Sequence, residues 1–262
     1  MIGNGWELKM SKINLYNIDC MEFMKDKPDD YYDGAFTSPP YNANLKVSGG
    51  RYTTKTSWKN FDNGANKYEN YTDNLSMDKY YEWQNSVIFE MLRICKGNIF
   101  YNIQILGGNK TAIFRIFGRY ADVIKDVIIW DKINTLPSIC LGALNADYEM
   151  VIIFNKNSGM KRSFDNYNFK RGEESNIIRV DRNRKSNNQH RASMPVKFCE
   201  KVLSLSLKKG NTIIDPFGGL MTTAIAGHNL KLNVDLCELD EDYFKAGKDR
   251  LDKHQQQLTF NF

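Results

Sequence analysis

No stretch of the sequence stays apolar for the roughly 18 residues that a membrane-spanning helix needs, which excludes a helical membrane protein. Cysteine is sparse and scattered. Cys20, Cys95, Cys140, Cys199 and Cys237 form no Cys-x-x-Cys pair, and their odd number does not suit a disulfide scaffold. They read as reduced thiols, mostly in the core of a cytoplasmic protein. Histidine is scarcer: His190, His228 and His254 stand apart from one another and from the cysteines, so no metal site is expected. The chain opens without a basic-then-apolar leader, which adds to the expectation of a cytoplasmic location and no membrane contact.

What is present is enough for one large domain with a core: 262 residues, 42% hydrophobic. The net charge of +5 is unevenly placed. Residues 156–191 hold ten Lys/Arg and four acids, so this segment alone carries +6 and the rest of the chain is slightly acidic. A basic block this local predicts a polyanion footprint.

Short apolar runs alternate with helical patterns. Strands are expected at 13–17, 33–36, 98–106, 126–130, 148–154, 212–215 and 232–237, and helices at 21–27, 77–95, 111–120 and 194–207. That alternation predicts an α/β fold, a mostly parallel sheet with helices on both faces. Residues 43–76 read as a long loop in which Tyr52, Trp58, Phe61, Tyr68 and Tyr71 are interleaved with cations, a composition suited to bases and phosphates. The phosphate contacts expected are Arg51 and Lys55 in this loop and Lys161, Arg162, Arg171, Arg182 and Arg184 in the basic block.

Six prolines are spread thinly, yet two are adjacent, in Thr37-Ser38-Pro39-Pro40-Tyr41-Asn42 at the end of an expected strand. Paired prolines fix the backbone and remove two N–H donors, so the local carbonyls cannot be tied into a helix and are expected to stay free as acceptors. Ser38 and the Pro39 carbonyl can accept both N–H bonds of a planar amino group while the Tyr41 ring stacks on its plane. A nucleobase with an exocyclic amine fits.

Far downstream, Asp215-Pro216-Phe217-Gly218-Gly219 ends another strand and opens a helix at Thr222-Thr223. Glycines at such a turn let a ligand approach the backbone, and the helix start offers N–H groups to a carboxylate. Glu238 follows at the end of the next strand, about 20 residues on, where ribose hydroxyls are bound in nucleoside folds.

Ser38-Pro39-Pro40-Tyr41 resembles the catalytic motif of the amino-methylating DNA methyltransferases, and Asp215-Pro216-Phe217 with Thr222-Thr223 resembles their S-adenosylmethionine motif. The resemblance covers nearly the whole chain. It implies a Rossmann-like, seven-stranded, circularly permuted methyltransferase fold of the beta type, from a prokaryote or phage. Residues 1–155 would form the catalytic half, 156–191 the target-recognition insertion and 192–262 the cofactor half. It also implies cofactor contacts from Asp19, Cys20, Lys197, Asp215, Phe217, Gly218, Gly219, Thr222, Thr223 and Glu238, with the two threonines reaching the methionine carboxylate. The expected activity is methyl transfer to the amino nitrogen of a base flipped out of duplex DNA. Cytosine N4 is favoured slightly over adenine N6 because Ser opens the motif. Leu220-Met221 departs from the family's usual Ser-Gly, and a non-catalytic DNA-binding relative is the alternative that this departure suits. Relatives that dimerise suggest a homodimer. The tail Gln255 to Phe262 loosely resembles peptides that dock on sliding clamps, with a helix end folded on the core as the preferred reading.

Overall fold

The computed structural model describes residues 11–43, 47–48, 51–52, 75–135, 137–138, 141–157, 161–182 and 194–259, the backbone alone at 47–48, 51–52 and 258–259. In chain order the elements are β1 (Ile13–Tyr16), α1 (Cys20–Lys25), β2 (Gly34–Thr37), β3 (Val47–Ser48), β4 (Arg51–Tyr52), α2 (Met77–Ile94), β5 (Ile99–Ile103), α3 (Lys110–Arg119), β6 (Ile124–Asp131), β7 (Tyr148–Phe154), β8 (Ile177–Arg179), α4 (Val196–Ser204), β9 (Thr212–Asp215), α5 (Thr222–Asn229), β10 (Asn233–Cys237) and α6 (Glu241–Thr259). Local chemistry sets several boundaries. The Asp19 carboxylate accepts from the backbone of Met21 and Glu22 and starts α1, and the Ser76 hydroxyl accepts from Lys79 and starts α2.

Eight strands form one sheet in the order β1-β10-β9-β2-β5-β7-β6-β8, while β3 and β4 form a separate hairpin. The pairs β1–β10, β10–β9, β9–β2, β2–β5 and β6–β8 are parallel, and β7 runs antiparallel to both β5 and β6. The eighth strand corrects the expected seven. It lies inside the basic segment, where Ile177-Ile178 joins the sheet edge through Ile129 and Trp130. Three residues with one buried side chain are too short a signal to read as a strand in isolation.

The strand interiors are apolar on both faces because helices cover both. On β5, Ile99, Tyr101 and Ile103 meet α2 and α3, and Phe100 points to the other side; β7 divides the same way. One core layer gathers α1, α2 and α3, the helices of the catalytic half. The other gathers α4, α5 and α6, those of the cofactor half. The chain therefore leaves the sheet centre in opposite directions, from β2 outward through β5 and from β9 outward through β10. That divergence makes a switch point between β2 and β9, where open α/β sheets bind ligands.

Cys20, Cys95, Cys199 and Cys237 are free and buried. No helix among the described residues is long and apolar enough to cross a membrane.

Candidate active site

Ser38 follows β2 and Pro216 follows β9, so both motifs sit at carboxyl ends of paired parallel strands, Ala35 opposite Ile214. A buried bond joins them: the Thr37 hydroxyl donates to Asp215 Oδ1 at 2.9 Å. A cleft opens above the carboxyl ends of four adjacent strands. Ile18, Asp19 and Cys20 line it after β1, Ser38 and Pro40 after β2, Pro216, Phe217 and Gly219 after β9, and Glu238, Leu239 and Asp240 after β10.

The early turn is held by groups that the sequence reading did not single out. Asn42 is buried with φ 53°, a left-handed conformation that Asn tolerates. Its side-chain amide bonds the backbone of Leu75 and the Gly108 carbonyl. Asn109 donates to the Tyr41 carbonyl at 2.8 Å. Tyr80 donates its hydroxyl to the Pro40 carbonyl at 2.9 Å, so that carbonyl is not a free acceptor, contrary to expectation. The Pro39 carbonyl has no partner among the described residues.

The Tyr41 hydroxyl is tied down as well. It lies 2.9 Å from Ser38 Oγ and donates to Glu149 Oε2 at 2.8 Å. Asn102, 1% exposed on β5, places its amide nitrogen 3.3 Å from Ser38 Oγ, 2.8 Å from Tyr41 Oη and 2.7 Å from Glu149 Oε2. Its Oδ1 has no partner among the described residues. Lys132, buried at the end of β6, reaches Glu149 Oε1 at 3.4 Å. Burial pushes the Tyr41 hydroxyl well above its ordinary range, with the Glu149 charge adding to the effect, so Tyr41 is a neutral donor. Burial pulls Lys132 down, against the opposing pull of Glu149. Asn102, Lys132 and Glu149 lie in apolar strands and a loop with no local motif, so only the sheet brings them beside Ser38.

The late turn is built on glycine and a buried acid. A Cβ on Gly218 would come within 1.9 Å of Leu236 Cδ2, so any larger residue would have to displace that buried leucine. Glu238 accepts from Gly219 N at 2.7 Å and Asp240 N at 2.9 Å, and burial raises its pKa. Asp215, also raised by burial, to about 6, faces inward onto Thr37 and the Phe217 N–H. It latches the two turns together and is absent from the cleft lining. Phe217 is propped edge-on by Trp83 of α2, with ring centroids 5.6 Å apart.

Several expected cofactor contacts are placed elsewhere. Thr222 is buried and accepts from Arg250 at 2.9 Å, and Thr223 turns to Asp215 and Cys199 in the core, because α5 begins only after Met221. Neither lines the cleft. Lys197 is exposed on α4 and does not line it either. Asp19, Cys20, Phe217, Gly219 and Glu238 do. Asp19 is at the same time the cap of α1.

The fold splits the expected DNA contacts. Arg162 pairs with Asp126 near the start of β6, at the edge of the sheet opposite the cleft, and Lys161 is its neighbour. Arg171 follows Asn168, whose amide holds the carbonyls of Ser204 and Leu207 ahead of β9, also at that far edge. The end of β8 instead reaches the cleft edge: Arg179 pairs with Asp131 at the end of β6, and the Arg182 N–H donates to the Lys132 carbonyl. Arg51 lies in the β3–β4 hairpin. Lys55, Arg184, His190 and residues 260–262 of the tail lie outside the described residues.

The chain is similar to known proteins over most of its length. The chain is 26% identical over 250 residues to the type II methyltransferase M2.MboI of Moraxella bovis, covering 90% of this chain and 86% of that one. It is 22% identical over 260 residues to the type II methyltransferase M2.DpnII of Streptococcus pneumoniae, covering 94% and 92%. Among solved structures, the PvuII DNA methyltransferase (cytosine-N4-specific) superposes with a TM-score of 0.69 at 17% identity, covering 94% of this chain and 91% of that one. The M1.HpyAVI–SAM complex superposes with a TM-score of 0.58 at 21% identity, covering 91% and 99%. The family model described as DNA methylase (N6_N4_Mtase) matches residues 32–249, and the chain therefore belongs to the DNA methylase family.

Proposed function

We propose that this DNA methyltransferase acts on the exocyclic amino nitrogen of a base, with cytosine N4 as the target, and that the cleft beside Phe217 and Glu238 holds S-adenosylmethionine. The observation that carries this reading is the Thr37–Asp215 bond at 2.9 Å, which fastens the amine-accepting turn to the cofactor turn.

The cleft fits the cofactor by its chemistry. Ile18, Phe217 and Leu239 offer apolar walls to an adenine ring. The carboxylates of Asp19, Glu238 and Asp240 suit hydroxyl groups and the positive charge of a sulfonium. Bound there, the cofactor supplies an electrophilic methyl group. The protein's task is positioning, which can supply several kcal/mol of the barrier, on the order of 7–11 when reactants are aligned. Ser38 and the Pro39 carbonyl accept the two amine N–H bonds and free the nitrogen lone pair. Tyr80 and Asn109 hold the turn so that those acceptors do not move. With its hydroxyl anchored, the Tyr41 ring keeps a fixed plane for stacking on the base.

Arg179 and Arg182 at the cleft edge support a phosphate-contacting role for the last part of the basic segment. The choice of cytosine rests on Ser38 and on the likeness to a cytosine-N4-specific fold relative. Incubating the protein with tritiated S-adenosylmethionine and genomic DNA, then separating the nucleosides, is expected to yield labelled 4-methyldeoxycytidine. Labelled 6-methyldeoxyadenosine would move the assignment to adenine, and label retained in full by Ser38→Ala would refute the role of the early turn.

A further inference from the structure

Ser38, Tyr41, Asn102, Glu149 and Lys132 come from four neighbouring strands or the turns that follow them, yet form one continuous polar chain at the cleft edge. Ser38 Oγ and Tyr41 Oη are 2.9 Å apart, and Tyr41 donates onward to Glu149 at 2.8 Å. With that donation fixed, the Tyr41 oxygen is left as an acceptor, and the Ser38 proton points to it. One Ser38 lone pair lies 3.3 Å from the Asn102 amide, and the other is left to accept from the amine. Asn102 donates from the side and cannot supply or remove a proton at neutral pH. Glu149 is the one carboxylate among the described residues bonded to this chain, and Lys132 lies against its other oxygen.

Methyl transfer would form the new N–C bond as the sulfonium S–CH3 bond breaks, the electron pair leaving with sulfur as a neutral thioether, and would leave the amino nitrogen with one proton too many. Neither a serine nor a neutral tyrosine can keep that proton. We propose that Glu149 is the terminal proton acceptor of the reaction, receiving the amine proton through Ser38 and Tyr41. One proton passes from the nitrogen to Ser38 Oγ as the serine proton passes to Tyr41 Oη and the tyrosine proton passes to Glu149 Oε2. The result is a neutral methylated amine, an unchanged serine and tyrosine, and a protonated Glu149 that returns its proton to solvent after product leaves. Lys132 holds the carboxylate in place from its other oxygen, 3.4 Å away. Asn102 is a positioning residue that keeps the three oxygens in line. This inference rests on the methyl-transfer reading and names the destination of the proton within the same site.

Glu149→Gln tests it, since glutamine keeps the size and an acceptor oxygen but is not a base. The expected result is a fall in kcat of about 100-fold, the lower range for a lost general base, with the KM for DNA and the Kd for S-adenosylmethionine held within about three-fold. Glu149→Asp should recover part of the rate. Tyr41→Phe interrupts the same path, so Tyr41→Phe/Glu149→Gln should be no slower than the worse single variant. The proposal is overturned if Glu149→Gln keeps kcat within about three-fold of wild type, or if its loss of rate comes with an equal loss of cofactor or DNA binding. It is also overturned if the two substitutions multiply. A wild-type protein that transfers no methyl group to DNA would overturn the parent reading as well, and product analysis on the wild type separates the two failures.

Discussion

At the scale of single residues, Asp215 sits at the strand end where the motif put it but is absent from the cleft lining. Its position at a strand end suggested a ligand contact, but its carboxyl faces inward and receives the Thr37 hydroxyl. Burial raises it from 3.8 to about 6, a large shift for a group with several donors around it. A carboxyl raised in the folded state favours folding most below its unfolded pKa, and that advantage is lost as pH rises through the folded value. Between about pH 4 and pH 6 the ionisation of Asp215 should therefore cost the fold about 3 kcal/mol. Asp215→Asn removes this term while keeping an acceptor for Thr37. Urea unfolding of both proteins from pH 4 to pH 7 should show the variant gaining that much stability relative to wild type, since every other titrating group cancels in the difference. A gap that stays constant with pH would mean that Asp215 does not ionise in this window. None of this was legible in the sequence, because burial is a property of what packs over a residue.

At the scale of elements, α6 is the support of the cofactor turn. Met221, where the resemblance led glycine to be expected, has a left-handed backbone, φ 59°, at the start of α5. That conformation costs a non-glycine residue about 1–2 kcal/mol, and full burial of a methionine side chain offsets it with about 1.5–3 kcal/mol. Room for that side chain comes from Gly247 on α6, where a Cβ would meet Met221 Cγ at 2.6 Å and the Gly219 carbonyl at 2.8 Å. Arg250, one turn further on, clamps the Leu220 carbonyl at 2.6 Å. In an exposed helix Gly→Ala stabilises by about 1 kcal/mol. Here the contact with backbone outweighs it, and Gly247→Ala should destabilise by about 1–3 kcal/mol. The same substitution should weaken S-adenosylmethionine binding at least about ten-fold, because Gly219 must shift away from Glu238. Thermal unfolding and calorimetry check the two effects, and an Ala variant that binds cofactor normally would show that α6 does not support the turn. The reason for a glycine in the middle of α6 required the neighbouring turn.

At the scale of the whole molecule, the cleft lies at the carboxyl ends of the parallel strands β1, β10, β9 and β2, and the opposite ends of those strands line no part of it. The basic segment crosses from one end of β6 to the other, so its charge is not one footprint. Arg179 and Arg182 end near the cleft, while Arg162 is paired with Asp126 at the far edge. Charge reversal at Arg179 and Arg182 should weaken DNA binding about equally for all sequences and lower the salt slope of log K by about one per lost phosphate contact. Arg162→Glu should leave both unchanged. Anisotropy titrations at several salt concentrations distinguish these outcomes, and equal losses for the two edges would refute the division.

The places of most strands and helices and the two proline- and glycine-bearing turns were determined by the sequence alone, because each depends on neighbours within a few residues: a cap, a ring, a missing Cβ. The alternation of those elements also determined that the sheet would be mostly parallel. Only the tertiary structure decided that Asn102, Lys132 and Glu149 stand beside Ser38, that Thr222 and Thr223 are absent from the cleft lining, and that Arg162 and Arg179 lie at opposite ends of β6. Those outcomes depend on which strands pair and which faces are covered, and pairing joins residues that no local pattern relates.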